Sequence, residues 1–245
     1  MDKRVLEYKR PTELSTEMVE VSLLLGQRTS APDRPTDTDA IELLQTDVTP
    51  DRRSTVVKWM FEFVDETQGF GNVEHKDAVA FHAVILLDRY LSLVKTEKTE
   101  LQKIAAACLI VAFRVRTPVS PSDLLMGFLF GDKKAADSYV SRVCDGLQMD
   151  LTVETHCDYY HAILPRFSLR SDQERELVES TNEMLKGCVR KWEFMRRKFS
   201  PWATARVALA ICAEKLGMGS DAVLGNTLYW DCVRYFRDGS VPSTY

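Results

Sequence analysis

The chain is poor in turn formers. Eleven glycines and nine prolines among 245 residues make up about 8% of it, against roughly 12% in average usage, and the hairpin dipeptide Asn-Gly never occurs. A sheet-rich sandwich or barrel, which needs frequent tight turns, is therefore disfavoured. The six cysteines (Cys108, Cys144, Cys157, Cys188, Cys212 and Cys232) include no C-x-x-C pair. Several sit in apolar runs, where a thiol acts as a small hydrophobe, so neither structural zinc nor a disulfide framework is expected. The longest uninterrupted apolar run, Ile104 to Phe113, is ten residues, well short of the roughly 18 that a membrane span needs. The opening Met1-Asp2-Lys3-Arg4 continues polar and lacks the apolar core of a secretory signal, so an intracellular location in nucleus or cytoplasm is expected.

The common catalytic signatures are also missing. There is no G-x-S-x-G, no P-loop and no G-x-G-x-x-G, which removes the nucleophile elbow and the usual phosphate cradles. His75 and His82 are seven apart, and His156 and His161 five apart; neither pair forms the H-E-x-x-H of a helical zinc site. No cofactor, no metal and no catalytic residue is expected. Charge of either sign is not in excess: 32 Lys+Arg against 36 Asp+Glu give a net charge of −4, and the apolar share of 45% is enough for a buried core.

What is present is helical pattern. Residues 1–48 combine a helix over Glu13 to Leu25 with a polar loop rich in Pro, Asp and Thr over Gln27 to Thr38. Thr49-Pro50-Asp51 signals a helix start, because the Thr hydroxyl caps a free N–H and Pro at the first helical position loses no bond; Ser120-Pro121 and Ser200-Pro201 repeat the device. Beyond Thr49, the residues Val56, Trp59, Met60, Phe63 and Val64 form an amphipathic stripe. Asp77 to Leu93 is apolar nearly all round, and Ile104 to Phe113 is an alanine-rich run that predicts a fully buried helix. A comparable segment, Trp202 to Ala213, opens at Ser200-Pro201 and closes at Gly217. Two such central helices about a hundred residues apart suggest a duplicated unit. The expected organisation is an N-terminal extension over 1–48, a first helical domain over 49–151 and a second over 152–245.

The segments R-R-S-T-V-V-K-W-M-F-E-F-V from Arg52, L-L-D-R-Y-L-S from Leu86 and L-Q-K-I-A-A-A-C-L-I-V-A-F-R from Leu101 resemble a cyclin box. F-M-R-R-K-F-S-P-W-A-T-A-R-V-A-L-A from Phe194 is similar to the start of a second cyclin fold. The resemblance covers roughly residues 45–217 and implies an all-α protein of two tandem cyclin folds. It implies a non-catalytic subunit that binds and activates a cyclin-dependent kinase in cell-cycle control. An Asp within an apolar helix is costly unless paired, and the resemblance implies that Asp88 pairs with Arg53 in a structural role.

The resemblance also places two interaction sites. The kinase contact of the family uses a Lys at the end of the third cyclin-box helix and a Glu on the fifth. Here those positions carry Arg114 and Val140, with Asp137 and Asp145 the nearest carboxylates, and Arg116 and Thr117 replace an acidic pair. A docking patch for substrates or inhibitors carrying a short motif corresponds to Val56, Trp59, Glu62, Leu101 and Gln102, with Arg52 and Thr55 in usually apolar positions. Trp59 also reads equally well as core, since it lies on the apolar stripe. Arg166-Phe167-Ser168-Leu169 matches a four-residue degradation signal too loose to carry weight.

Two alternatives remain from the sequence. One is a cyclin-fold scaffold without kinase activation. The other is a DNA-binding protein like transcription factor IIB, suggested by Arg190, Lys191, Arg196, Arg197 and Lys198 with Trp192 and Phe194 interleaved. The sequence pI of about 5.7 and the lack of a Cys-rich ribbon argue against nucleic acid.

Overall fold

The computed structural model describes residues 37–66, 76–117, 130–164, 169–197 and 200–218. The helix over Glu13 to Leu25, the start at Ser120-Pro121, His75, Lys198 and Cys232 lie outside the described residues, as does most of the Gln27 to Thr38 loop and of the Arg166 to Leu169 motif. Among the described residues every regular element is a helix: α1 (Thr38–Leu44), α2 (Pro50–Glu66), α3 (Lys76–Leu93), α4 (Leu101–Arg116), α5 (Lys133–Gly146), α6 (His156–Ile163), α7 (Ser171–Arg190), α8 (Trp192–Met195) and α9 (Pro201–Lys215). None is long and apolar enough to cross a membrane.

The helix starts follow local chemistry. Thr49 Oγ1 accepts from the Arg52 N–H at 3.4 Å, and Ser200 Oγ accepts from the Ala203 N–H at 3.2 Å with Pro201 behind it. Both satisfy donors that the first turn leaves open. Helices α5 and α9 end alike. Met149 N–H reaches Cys144 O and Gln148 N–H reaches Asp145 O, just as Met218 N–H reaches Ala213 O and Gly217 N–H reaches Glu214 O. This termination needs a left-handed residue. Gly217 supplies it at φ 68°, whereas after α5 it falls on Gln148 at φ 52°, followed by Met149 at φ 60°.

Helix α4 is the hub of the first half. Every residue from Ile104 to Phe113 is buried, and the helix packs on α2, α3 and α5. Its alanines let these neighbours approach closely. Helix α9 plays the same part later, packed on α6 and α7 with Ala205, Ala208, Ala210 and Ala213 buried. The halves meet where α6 packs on α3 and α7 packs on α2, while α1 lies against α3.

One sequence expectation shifts. The buried face of α2 is Arg53, Val57, Met60, Phe61 and Val64, so Val56, Trp59 and Phe63 sit on its flank, partly exposed. Apolar residues cover more than half the circumference of α2. The buried Arg53, which a hydrophobic count ignores, decides which part turns inward.

Candidate functional site

The most deeply placed charge is Arg53, 1% exposed beside a fully buried Asp88. Its Nε donates to Asp88 Oδ1 and its Nη2 to Oδ2, both at 2.6 Å. Nη1 donates to the Val189 carbonyl near the end of α7 at 2.9 Å, and the guanidinium lies 5.7 Å from the Trp192 ring centroid. A fork of charge-assisted bonds offsets the desolvation that would make either charge alone prohibitive. Trp192 in turn donates to Glu42 of α1 at 2.8 Å, and Gln45, just after α1, caps the end of α3 by donating to Leu91 O and Val94 O. This cluster joins α1, α2, α3, α7 and α8.

At the end of α4 the two arginines part company. Arg114 is 43% exposed, with Nη2 3.4 Å from Asp137 Oδ1 of α5. Arg116 points inward between the halves. Its Nη1 and Nη2 donate to the two oxygens of Asp158 at 2.8 Å, Nη2 also reaches Val153 O at 2.7 Å, and Nε approaches His82 Nδ1 at 2.7 Å. His82 Nε2 stands 2.8 Å from Leu151 O. A carbonyl can only accept, so the ring carries its proton on Nε2 and Nδ1 accepts from Arg116. Burial and the Arg116 charge lower the His82 pKa to about 4. Burial works to raise the pKa of Asp158, but the Arg116 bonds and charge, with Thr155, hold it below the usual carboxylate value. His156, packed 5.2 Å from Phe81 between ring centroids, is lowered to about 4 by burial.

The other positions singled out by sequence fall into two groups. Val140 is 8% exposed and faces the core. On the flank of α2, Trp59 lies 5.7 Å from Phe63 between centroids, and Glu62 is exposed but paired with Lys58 at 3.2 Å. Arg52 turns back to donate to the Asp47 carbonyl, and Thr55 donates to Asp51 O at 2.9 Å. Leu101 is buried and Gln102 exposed, on the helix that packs against α2. The basic cluster near α8 is not a stacking platform, since Trp192 and Phe194 are 8% and 3% exposed and Arg196 pairs with Glu42 at 3.5 Å.

Sequence reasoning missed a second junction between the halves. Lys186 of α7, 12% exposed, contacts Asp65 and Asp77, each at 3.1 Å. Burial alone would lower its pKa, and Asp77 and Asp65 together raise it instead. Asn182 donates to Asp77 at 2.6 Å and accepts from the Tyr160 hydroxyl at 2.8 Å. Only the capping box of Thr155 and Asp158 left a local trace, as T-x-x-D before an apolar run. The rest depends on contacts remote in sequence.

Among the described residues the chain is all-helical, with an alanine-rich central helix and a buried Arg53–Asp88 pair bracing its first two long helices. Residues 25–128 match the family model described as cyclin, N-terminal domain. Mouse G1/S-specific cyclin-D3 is 27% identical over 193 residues, covering 76% of this chain and 62% of that protein. The cyclin homolog of Saimiriine herpesvirus 2 is 35% identical over 83 residues, 33% of this chain and 30% of that protein. A crystal structure of a viral cyclin from herpesvirus saimiri superposes with a TM-score of 0.63 at 21% identity, covering 90% of this chain and 87% of that one, and so shares the fold. Over residues 25–128 the chain is similar to the cyclin N-terminal domain, and its described helices share the fold of a viral cyclin. It spans about 62% of the length of the cyclin-D3 relatives it matches.

Proposed function

We propose that this protein is a non-catalytic regulatory subunit that binds a cyclin-dependent protein kinase and activates it in cell-cycle control. The observation that carries this reading is the cyclin N-terminal domain match over 25–128 together with a half-exposed charge pair, Arg114 and Asp137, on the face where the family resemblance puts the kinase contact. The activating step follows from kinase chemistry: phosphoryl transfer requires a Lys–Glu ion pair that is completed only when the kinase's mobile helix is held inward. Raising the active conformer from rarity to dominance takes about 5.5 kcal/mol of differential binding, within reach of a large helical interface. In this reading residues 49–151 and 152–245 are two cyclin folds centred on α4 and α9, and the protein works in nucleus or cytoplasm.

Substrates or inhibitors with a short docking motif would meet the flank of α2 at Val56, Trp59, Glu62 and Gln102. Arg52, Thr55 and the Lys58–Glu62 pair make that surface less apolar and more cationic than the family's patch. Leu101 contributes from below as buried support.

A scaffold without kinase activation is the second reading, favoured by a specific observation: Arg116 is engaged internally by Asp158 and His82, and Val140 is buried. Isolation of the protein at native abundance, with mass spectrometry and a phosphorylation assay, separates the two. A near-stoichiometric kinase whose activity rises with added protein supports the regulator. A bound kinase that stays inactive supports the scaffold, and recovery of no kinase removes the leading reading.

A further inference from the structure

The edge where α6 meets α3 carries an imidazole from each half, His82 on α3 and His156 on α6. Both ring nitrogens of His82 are committed. Nε2 donates to the Leu151 carbonyl at 2.8 Å and Nδ1 accepts from Arg116 Nε at 2.7 Å. A further proton has to sit on Nδ1, which sets N–H against N–H across that contact and an imidazolium beside a guanidinium. Among the described residues the carboxylate that faces the ring is Asp158, and its oxygens already accept from both Nη atoms of Arg116 and from the N–H and hydroxyl of Thr155. Arg89, on α3 itself, adds positive charge and lies 3.6 Å from Asp150. Arg53 of α2 is taken up by Asp88, and α1 and α5 meet α3 toward its far end, around Leu91, Val94 and Tyr90. His156 is 6% exposed against Phe81, its Nδ1 is buried without a hydrogen-bond partner, and it too faces Asp158.

The edge formed by α7 is built differently. Lys186 joins Asp65 of α2 and Asp77 of α3, and Arg53 joins the Val189 carbonyl. None of these contacts involves an imidazole. We propose that the junction is an acid-operated hinge: when His82 and His156 become imidazolium, the connection 151–155 and α6 part from α3 and α4, while the halves stay joined along α7. Each charged ring reaches water only when its edge opens, and the open form therefore gains with every proton taken up. Acid thereby changes how the halves sit together before it unfolds either one.

Native-state cleavage of the full chain by a glutamate-specific protease at pH 7 and at about pH 5 tests this, with rates normalised to a free peptide of residues 147–160. Under these conditions cleavage follows the population of the open form. The rings hold protons with a pKa of about 4 when closed against an ordinary 6.5 when open, so the normalised rate after Glu154 should rise about twentyfold per imidazole. Cleavage after Glu154, in the connection, should precede cleavage after Glu62 in α2 and Glu179 in α7 at both pH values. His82→Gln keeps a donor and an acceptor but does not titrate, and it should remove about twentyfold of the rise. Cleavage at all three sites at one rate would reveal a single global unfolding and overturn the hinge. So would a rate after Glu154 that ignores pH, or a His82→Gln chain with the full response.

Discussion

Arg53 on α2 holds Asp88 on α3 through two bonds of 2.6 Å while its remaining arm reaches the Val189 carbonyl, 136 residues away in sequence. One side chain thereby serves both the packing of α2 on α3 and the docking of α7 on α2. Removing either charge leaves the other buried and unpaired, so Arg53→Ala should destabilise the protein by about 3–5 kcal/mol. Replacing both with apolar residues of similar volume, Arg53→Met with Asp88→Leu, should cost markedly less than the sum of the single variants. Urea unfolding of the three variants measures this; additive losses would show that the charges do not depend on each other.

The two arginines at the end of α4 should behave oppositely. Arg116 makes charged bonds to Asp158 and a bond to Val153 O from a side chain 18% exposed, and each hydrogen bond to a charged group contributes about 1.5–3 kcal/mol. Arg116→Ala should therefore lower the melting temperature by several degrees. Arg114→Ala, at an exposed pair worth about 0–1 kcal/mol, should leave it nearly unchanged. Differential scanning calorimetry decides, and equal melting shifts would contradict the distinction.

Acid should weaken the fold well before the carboxylates titrate. His82 and His156 have folded-state pKa values lowered from 6.5 to about 4. Between those values the unfolded chain takes up protons that the folded chain refuses, so stability is full above about pH 6.5 and falls as pH drops toward 4. The slope is up to about 1.4 kcal/mol per pH unit for each imidazole. His82 is faced by Arg116, Asp158 and Arg89, and His156 by Asp158. Denaturant unfolding at neutral pH and at about pH 5 checks the slope, and NMR titration of the two rings checks its source; rings that protonate near their ordinary value would refute the account.

Gly146 closes α5 against the Tyr90 ring. A Cβ added there would stand 2.6 Å from Tyr90 Cε2 and 3.1 Å from Val94 Cγ2. Alanine is the better helix former by about 1 kcal/mol, yet the ring is fully buried and cannot swing aside, so Gly146→Ala should destabilise by about 1–3 kcal/mol. Gain of stability, measured by thermal unfolding, would show that α5 can shift outward at no cost.

Much of this fold is legible along the chain. The Thr-Pro and Ser-Pro starts of α2 and α9, the alanine-rich buried helices, and the absence of strand and turn signals are local properties. They determine helix positions because capping and the 3.6-residue repeat act within a few residues. The resemblance to the cyclin box also stands on contiguous motifs. The site was less legible. For Trp59 the sequence leaves core and docking patch equally open, because a hydrophobic count cannot weigh the buried arginine that fixes the face of α2, and Lys186 with its two aspartates leaves no local pattern.

The sequence by itself determined an all-helical chain, two alanine-rich central helices and an aspartate that needs a cationic partner. Only the tertiary structure decided that Arg53 also clasps the end of α7, that Arg116 turns into the junction beside His82 and Asp158 while Arg114 stays outside with Asp137, and that Val140 is closed to solvent. The physical reason is one of range. A helix is specified by bonds between residues four apart, whereas the direction in which a long charged side chain points is set by whichever carboxylates and carbonyls packing brings within about 3 Å of it.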